Sequence, residues 1–257
     1  MSDISPVEVQ RDGPLLVLRL NRPKRLNALD SHSIEQLTAA VKQARDDDSI
    51  LCLIITGGPR ADGRPCFSAG DDVKEAATGK LPPGNPGATL CNLLDSLLTP
   101  SIAVIDGVCT TGALELALAC DLRIVAETAQ ISDWHLKRLG SGLGGWGGST
   151  RLSRLVGVAQ AKDLILTGKV IDGPEALRIG FAQRLTTSAD LWQEATTMAA
   201  AICGMRPQGV ELTMAHLSRV ADLSKEESLS FASQLRQWLD PQRRFTDSAR
   251  DVLREIG

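Results

Sequence analysis

The run Asp106-Gly107-Val108-Cys109-Thr110-Thr111-Gly112-Ala113-Leu114-Glu115-Leu116-Ala117 decides how this chain reads. Gly112 stands directly behind a turn and opens a stretch, residues 113–119, with helical apolar spacing. Upstream, residues 102–105 form a short apolar run of strand type, which Pro100 separates from a helical pattern over residues 90–98. Strand, turn and helix therefore follow one another closely. The segment Cys66-Phe67-Ser68-Ala69-Gly70-Asp71-Asp72-Val73-Lys74-Glu75 repeats the design, with small residues ahead of a helix start. Two such turns are able to aim two backbone N–H donors at one developing oxyanion.

Outward from these turns the chain alternates strands with helices. Residues 7–10 and 15–20 flank Asp12-Gly13 and read as a β-hairpin, ended by Asn21-Arg22-Pro23. Asp30 or Ser31 caps a helix carrying Ile34, Leu37, Val41 and Ala44, and residues 50–56 supply a buried strand. Such alternation predicts crossover connections and mostly parallel pairing in one large α/β domain. Residues 122–126 and 181–185 are the last extended candidates, and helices are predicted over 190–204, 208–221, 226–238 and 243–255. Residues 79–87, Gly-Lys-Leu-Pro-Pro-Gly-Asn-Pro-Gly, hold too many breakers for regular structure and read as a surface loop, either a variable connection or a lid.

Composition narrows the function. Across 257 residues, 28 Lys plus Arg stand against 31 Asp plus Glu, for a formal charge of -3, so no basic excess exists to hold nucleic acid. Four Trp, four Phe and no Tyr leave little for base stacking. Cys52, Cys66, Cys91, Cys109, Cys120 and Cys203 lie scattered without a C-x-x-C pair and read as reduced core residues. The opening lacks a basic-then-apolar leader, and no apolar run reaches about 18 residues, so a soluble cytoplasmic protein without membrane partners is expected. His32 and His216 fall in predicted helices with no second ligand at i+4, so no metal site is expected. Glu115 is different: a carboxylate inside the apolar stretch 113–119 is costly to bury without a role or an ion-pair partner.

Four blocks taken together resemble the enoyl-CoA hydratase/isomerase, or crotonase, family. They are Leu20-Asn21-Arg22-Pro23-Lys24-Arg25-Leu26-Asn27-Ala28-Leu29, the 67–75 segment, residues 107–121, and Leu166-Thr167-Gly168-Lys169-Val170-Ile171 followed by Glu175-Ala176 and Gly180. They fall in family order and cover roughly residues 7–240. The resemblance implies an α/β fold in which residues 1–190 form a spiral of ββα turns. Residues 191–257 would supply helices that build a homotrimer or a dimer of trimers. It implies an acyl-CoA thioester as substrate, coenzyme A being part of that substrate and no separate cofactor being required.

The resemblance also assigns residues. The backbone N–H groups of Asp71 and Gly112 would hold the thioester oxygen as an enolate, with the Asp71 side chain turned away. Lys24, Arg25, Leu26, Ala69, Asp72 and Lys74 fall where family members bind coenzyme A. Glu115 matches the first catalytic glutamate of hydratases. The second lies twenty residues further on, and here that position is His135, within Ile131-Ser132-Asp133-Trp134-His135-Leu136. A histidine there retains proton exchange near neutral pH, unless it is a hydrogen-bonded structural residue.

After it, Gly140-Ser141-Gly142-Leu143-Gly144-Gly145-Trp146-Gly147-Gly148-Ser149 is about two residues longer than the usual family stretch. Trp134 and Trp146 are expected at an acyl pocket suited to a bulky, branched or cyclic group, or else in the core. The implied reaction is hydration of an α,β-unsaturated acyl-CoA. Carbon–carbon hydrolysis with ring opening, isomerisation and an inactive acyl-CoA-binding role are the alternatives. The stretch 240–247 matches the family only in part.

Overall fold

The computed structural model describes residues 5–239 and 253–254. The chain opens with a hairpin of β1 (Val7–Asp12) and β2 (Leu15–Leu20), then a 3-10 turn at Pro23–Arg25, α1 (Ser31–Asp46) and β3 (Cys52–Gly57). Asp30 caps α1 by accepting from Ser33 N. Next come β4 (Cys66–Ser68), α2 (Val73–Ala76), α3 (Pro86–Asp95), β5 (Ser101–Ile105), β6 (Val108–Thr110) and α4 (Gly112–Ala119). They are followed by β7 (Leu122–Ala126), β8 (Gln130–Ser132), α5 (His135–Leu139), α6 (Gly148–Val156) and α7 (Val158–Thr167). The first compact unit closes with β9 (Val170–Ile171), α8 (Gly173–Arg178), β10 (Arg184–Thr186) and α9 (Leu191–Cys203).

Successive strands go to two different sheets. One has the order β1-β2-β3-β5-β7-β10, parallel throughout except for the β1–β2 hairpin; the other has the order β4-β6-β8-β9. Each turn of the chain gives one long strand to the first sheet, one short strand to the second and then a helix, which is the expected ββα spiral. The long strands are apolar on both sides because both faces are covered. Leu16, Leu18, Leu53, Ile55, Ala103, Ile105 and Val125 point into the main core, while Leu15, Val17, Cys52, Ile54, Ile102, Val104 and Ile124 point the other way. Helix α9 covers that second face with Leu191, Ala195 and Ala199, one stripe at i, i+4, i+8. The first unit therefore runs to Gly204, beyond the expected division at 190/191.

Strands β8 and β9 carry no sequence signal, because two or three residues cannot display a period. Helix α3 starts at Pro86, inside the predicted 79–87 loop, since Asn85 accepts from Ala88 N and Pro86 suits the first helical position. The second unit, from Met205, holds α10 (Pro207–Leu217) and α11 (Lys225–Arg236), the latter started by a reciprocal Ser224/Glu227 capping box. The helix predicted over 243–255 and the 240–247 stretch lie almost entirely outside the described residues. Among the described residues no helix is long and apolar enough to cross a membrane.

Candidate active site

The site grows from the two turns. Asn27, buried and at φ 52°, donates from Nδ2 to Gly58 O (2.7 Å) and Cys66 O (2.9 Å), fixing the 26–29 segment beside β4. Leu29 N then donates to Gly70 O (2.8 Å), and Asp72 N donates to Leu29 O (2.9 Å). In such a parallel bridge the residue between, Asp71, faces its own amide away from Leu29. Across the gap lies Gly112, behind Thr111 at φ 51°, ψ -123°. That conformation belongs to the first central residue of a type II′ turn, where glycine is usual, so a β-branched threonine costs about 1–3 kcal/mol. Its Oγ1 donates to Thr110 O (2.8 Å) and Ala69 O (3.2 Å).

The two turns touch. A Cβ on Gly70 would lie 2.9 Å from Gly112 N and 2.0 Å from Thr111 Oγ1, and a Cβ on Gly112 would lie 3.3 Å from Asp71 N. Glycine at 70 (φ 85°) and at 112 is what lets the two amides come side by side. Among the described residues neither the Asp71 nor the Gly112 N–H has a hydrogen-bond acceptor.

Helix α4 is buried on every side, and Glu115, 1% exposed, is its only charged residue. Its Oε1 accepts from Trp146 N and Gly148 N, both at 2.8 Å, the second being the first residue of α6. The glycine run makes this cradle: a Cβ on Gly144 would meet Glu115 Oε1 at 2.4 Å, and one on Gly148 would meet Cγ at 2.9 Å. Oε2 has no hydrogen-bond partner and faces His135 Nε2 at 3.3 Å, outside hydrogen-bond geometry. The ion-pair alternative for Glu115 is thus real, and its partner is the other candidate catalytic residue.

On its far side His135 Nδ1 lies 2.9 Å from Asp133 Oδ1, which also accepts from His135 N at 2.9 Å. A carboxylate only accepts, so Nδ1 carries a proton. Burial is the largest influence on the ring and disfavours its charge. Hydrogen bonding to Asp133, the close approach of Glu115 and the charges of both overcome it and raise His135 to about 10. Between two carboxylates the charged form of the ring is favoured, which moves its proton exchange upward from the ordinary imidazole range. Asp71 is raised to about 6, first by burial and then by the Glu115 charge, with His135 opposing. The residue itself is exposed, so its carboxyl feels the charges of the site from the open side of the cleft.

Asp133 was not among the sequence candidates; its signal was the spacing Asp-x-His, in which the Asp side chain reaches forward to the backbone and ring of the His two residues on. Asp72 is 6% exposed, receives Arg22 Nη2 at 2.8 Å, and caps α2 by accepting from Lys74 N and Glu75 N. Burial opposes its charge, but Arg22 and the two N–H donors hold it below the usual carboxylate range. With both oxygens engaged, its side chain positions the turn. The other coenzyme A candidates assemble around it: Ala69 N donates to Leu26 O (2.9 Å), and Lys24, Arg25 and Lys74 are exposed.

Trp146 and Trp134 part company. The Trp146 indole is wedged between α3 and α4, where a Cβ on Gly87 would lie 1.9 Å from it and one on Gly112 2.9 Å. It lines a cavity of about 170 Å³ together with Leu29, Ile34, Asp71, Leu81 and Pro82. The 79–87 loop thus forms a wall of this cavity, tied by Asn85 Nδ2 to Gly145 O at 2.7 Å. Trp134 instead donates to Gly168 O (3.1 Å), lies under Arg138 and Lys137, and is not among the residues lining that cavity. A larger cavity of about 600 Å³ is lined by Arg19, Arg60, Arg64 and Trp192 and by none of the expected site residues. Arg60 and Arg64 both pair with Asp62 there. Burial pushes the nearby thiols up, Cys66 to about 11 and Cys91 to about 12, so neither is a ready thiolate. His32 lies exposed on α1, and His216 contacts Ser228 in the second unit.

Comparison with known proteins agrees with this fold. A family model described as enoyl-CoA hydratase/isomerase matches residues 10–249. A probable enoyl-CoA hydratase of Mycobacterium bovis is 36% identical over 229 residues, 88% of this chain and 86% of that protein. A short-chain-enoyl-CoA hydratase of Clostridium acetobutylicum is 32% identical over 239 residues, 90% and 88% of the two chains. The crystal structure of an enoyl-CoA hydratase from Bacillus anthracis superposes with a TM-score of 0.88 at 27% identity, over 98% of this chain and 96% of that one.

Proposed function

The chain belongs to the enoyl-CoA hydratase/isomerase family, and from that membership we propose that it adds water across the double bond of an α,β-unsaturated acyl-CoA. The observation that carries this reading is the facing pair Glu115–His135, 3.3 Å apart, in a structure that also presents two acceptor-free amides, Asp71 N–H and Gly112 N–H, side by side. In the proposed reaction, water gives a proton to Glu115 Oε2 while its oxygen bonds Cβ. The electron pair of the double bond passes to the thioester oxygen, which the two N–H groups hold as an enolate. Removing one such donor typically costs about 3 kcal/mol. A proton from His135 Nε2 then bonds Cα, and the proton on Glu115 returns to His135 across their contact, so one water is consumed and both residues are restored.

The acyl group is proposed to occupy the cavity beside Trp146. At about 170 Å³ it is close to the roughly 150 Å³ that holds a benzene ring, so a short branched or cyclic group suits it better than a long linear one. Lys24, Arg25 and Lys74, exposed around the Leu26–Ala69 junction, are proposed to meet the phosphates of coenzyme A. A ring-opening reaction would need His135 as a neutral base, and carboxylates on both ring nitrogens count against it. We further propose self-association as a trimer through the second unit, where Leu217 and Leu229 are exposed at 56% and 63%.

The test is incubation of the purified chain with enoyl-CoAs of graded acyl size, following loss of the conjugated thioester absorbance and gain of one water in product mass. Hydration of crotonyl-CoA or a compact cyclic analogue is expected. Binding without turnover across the whole series would contradict the reading in favour of an acyl-CoA-binding protein.

A further inference from the structure

Asp133 is 1% exposed, and only its Oδ1 is used, by the backbone N and ring Nδ1 of His135; Oδ2 is buried with no partner. A local turn bond, His135 N donating to Asp133 Oδ1, explains the backbone contact alone, and an asparagine would accept it equally well. Burying a full carboxylate with one oxygen unsatisfied is expensive, and it is sustained where a compensating cation lies against it. The titratable groups facing His135 are Asp133 on its own segment, Glu115 from α4 and Asp71 from the turn after β4. The nearby cations of α5, Lys137 and Arg138, are directed over Trp134 instead.

We infer that Asp133 is a positioning residue that holds the His135 ring by Nδ1, keeps it charged and aims Nε2 at Glu115, so that the site carries a resident acid beside its base. This rests on the hydratase reading. It sets an acid beside the base, His135 placed to give a proton to Cα and Glu115 to take one from water. Two glutamates in the same places would reach that condition only by sharing one proton between like charges.

The experiment uses the full chain with labelled histidine, its three ring signals assigned through His135→Gln, and compares wild type with Asp133→Asn. In wild type the His135 ring is expected to stay charged past pH 8 and titrate near 10. In Asp133→Asn its titration is expected to fall by at least about one unit, toward the ordinary 6.5. On crotonyl-CoA the variant is expected to lose about tenfold or more in kcat with KM little changed, and its alkaline limb should move down with the ring titration. On a His135→Gln background Asp133→Asn should cost nothing further.

An unchanged ring titration, or losses that multiply on the His135→Gln background, would overturn the proposal. So would a wild-type ring already neutral at pH 8, a measurement that needs no variant. If the ring titration moves as expected but no enoyl-CoA is hydrated by wild type, the positioning role stands and the hydratase reading fails.

Discussion

Two clusters in the first unit have the same composition, one cation between two carboxylates, and differ in what is left over. In the first, Arg22 Nη2 pairs with Asp30 Oδ2 and Asp72 Oδ2, both at 2.8 Å. The remaining oxygens cap helices: Asp30 Oδ1 accepts from Ser33 N and Oγ, and Asp72 Oδ1 accepts from Lys74 N and Glu75 N. In the second, His135 lies between Asp133 and Glu115, deeper, with side chains 6%, 1% and 1% exposed. There Glu115 Oε2 and Asp133 Oδ2 accept no hydrogen bond among the described residues, Oε2 having only the 3.3 Å contact with His135 Nε2. A fully satisfied cluster fixes the backbone, whereas buried acceptors left over, beside a titratable cation, are what proton transfer requires.

The comparison breaks most sharply at the cations. His135→Gln should lower turnover of crotonyl-CoA by about 100-fold, the usual scale for losing an acid–base group. Near pH 10, where the raised His135 has lost its stabilising contribution, the melting temperature of this variant should change little. Arg22→Ala should do the reverse. Asp72 would be left buried and uncompensated, and since Arg22 keeps some contact with solvent, a loss of about 2–3 kcal/mol is expected in denaturant unfolding. Equal effects of the two substitutions on stability would erase the distinction between the clusters.

Stability against pH sharpens it further. His135 is raised in the folded state to about 10 from 6.5, so its contribution is fully present below about pH 6.5 and is lost as pH rises toward 10. Asp72 is depressed, so its contribution is present above its ordinary 3.8 and is lost as the solution is acidified through its lowered value. Thermal melts should therefore show an alkaline decline that flattens in His135→Gln and an acid decline that flattens in Asp72→Asn. The smallest effect is expected at Asp71, whose proposed donor is backbone. Asp71→Asn should keep kcat at pH 8 within about threefold of wild type, or raise it, because the variant removes a negative charge near the proposed enolate. A loss of about 100-fold there would mean that the carboxyl itself takes part.

The fold was legible where residues repeat a period. The long strands, α1 with its Asp30 cap and the Gly112 turn were all predicted from alternation or helical spacing. Strands β8 and β9 were not, since three residues or fewer hold no pattern and form only because the spiral presents a partner edge. In the site, Glu115 stood out because an apolar helix surrounds it, and His135 because it falls on a family position. Asp133 was missed because an Asp two residues before a His is common, and only the fold removes it from water. The Asp72–Arg22 pairing was missed for the complementary reason: the partner lies fifty residues away, where no local spacing reveals it.

The central claim is that Glu115, cradled through Oε1 and free at Oε2, does the base work. It is tested most directly by measuring crotonyl-CoA hydration and coenzyme A affinity side by side in wild type and Glu115→Gln. The amide would keep an oxygen for the Trp146 and Gly148 N–H donors while losing the ability to take a proton. Turnover should fall by about 100-fold or more with affinity nearly unchanged; equal turnover in the two proteins would contradict the claim.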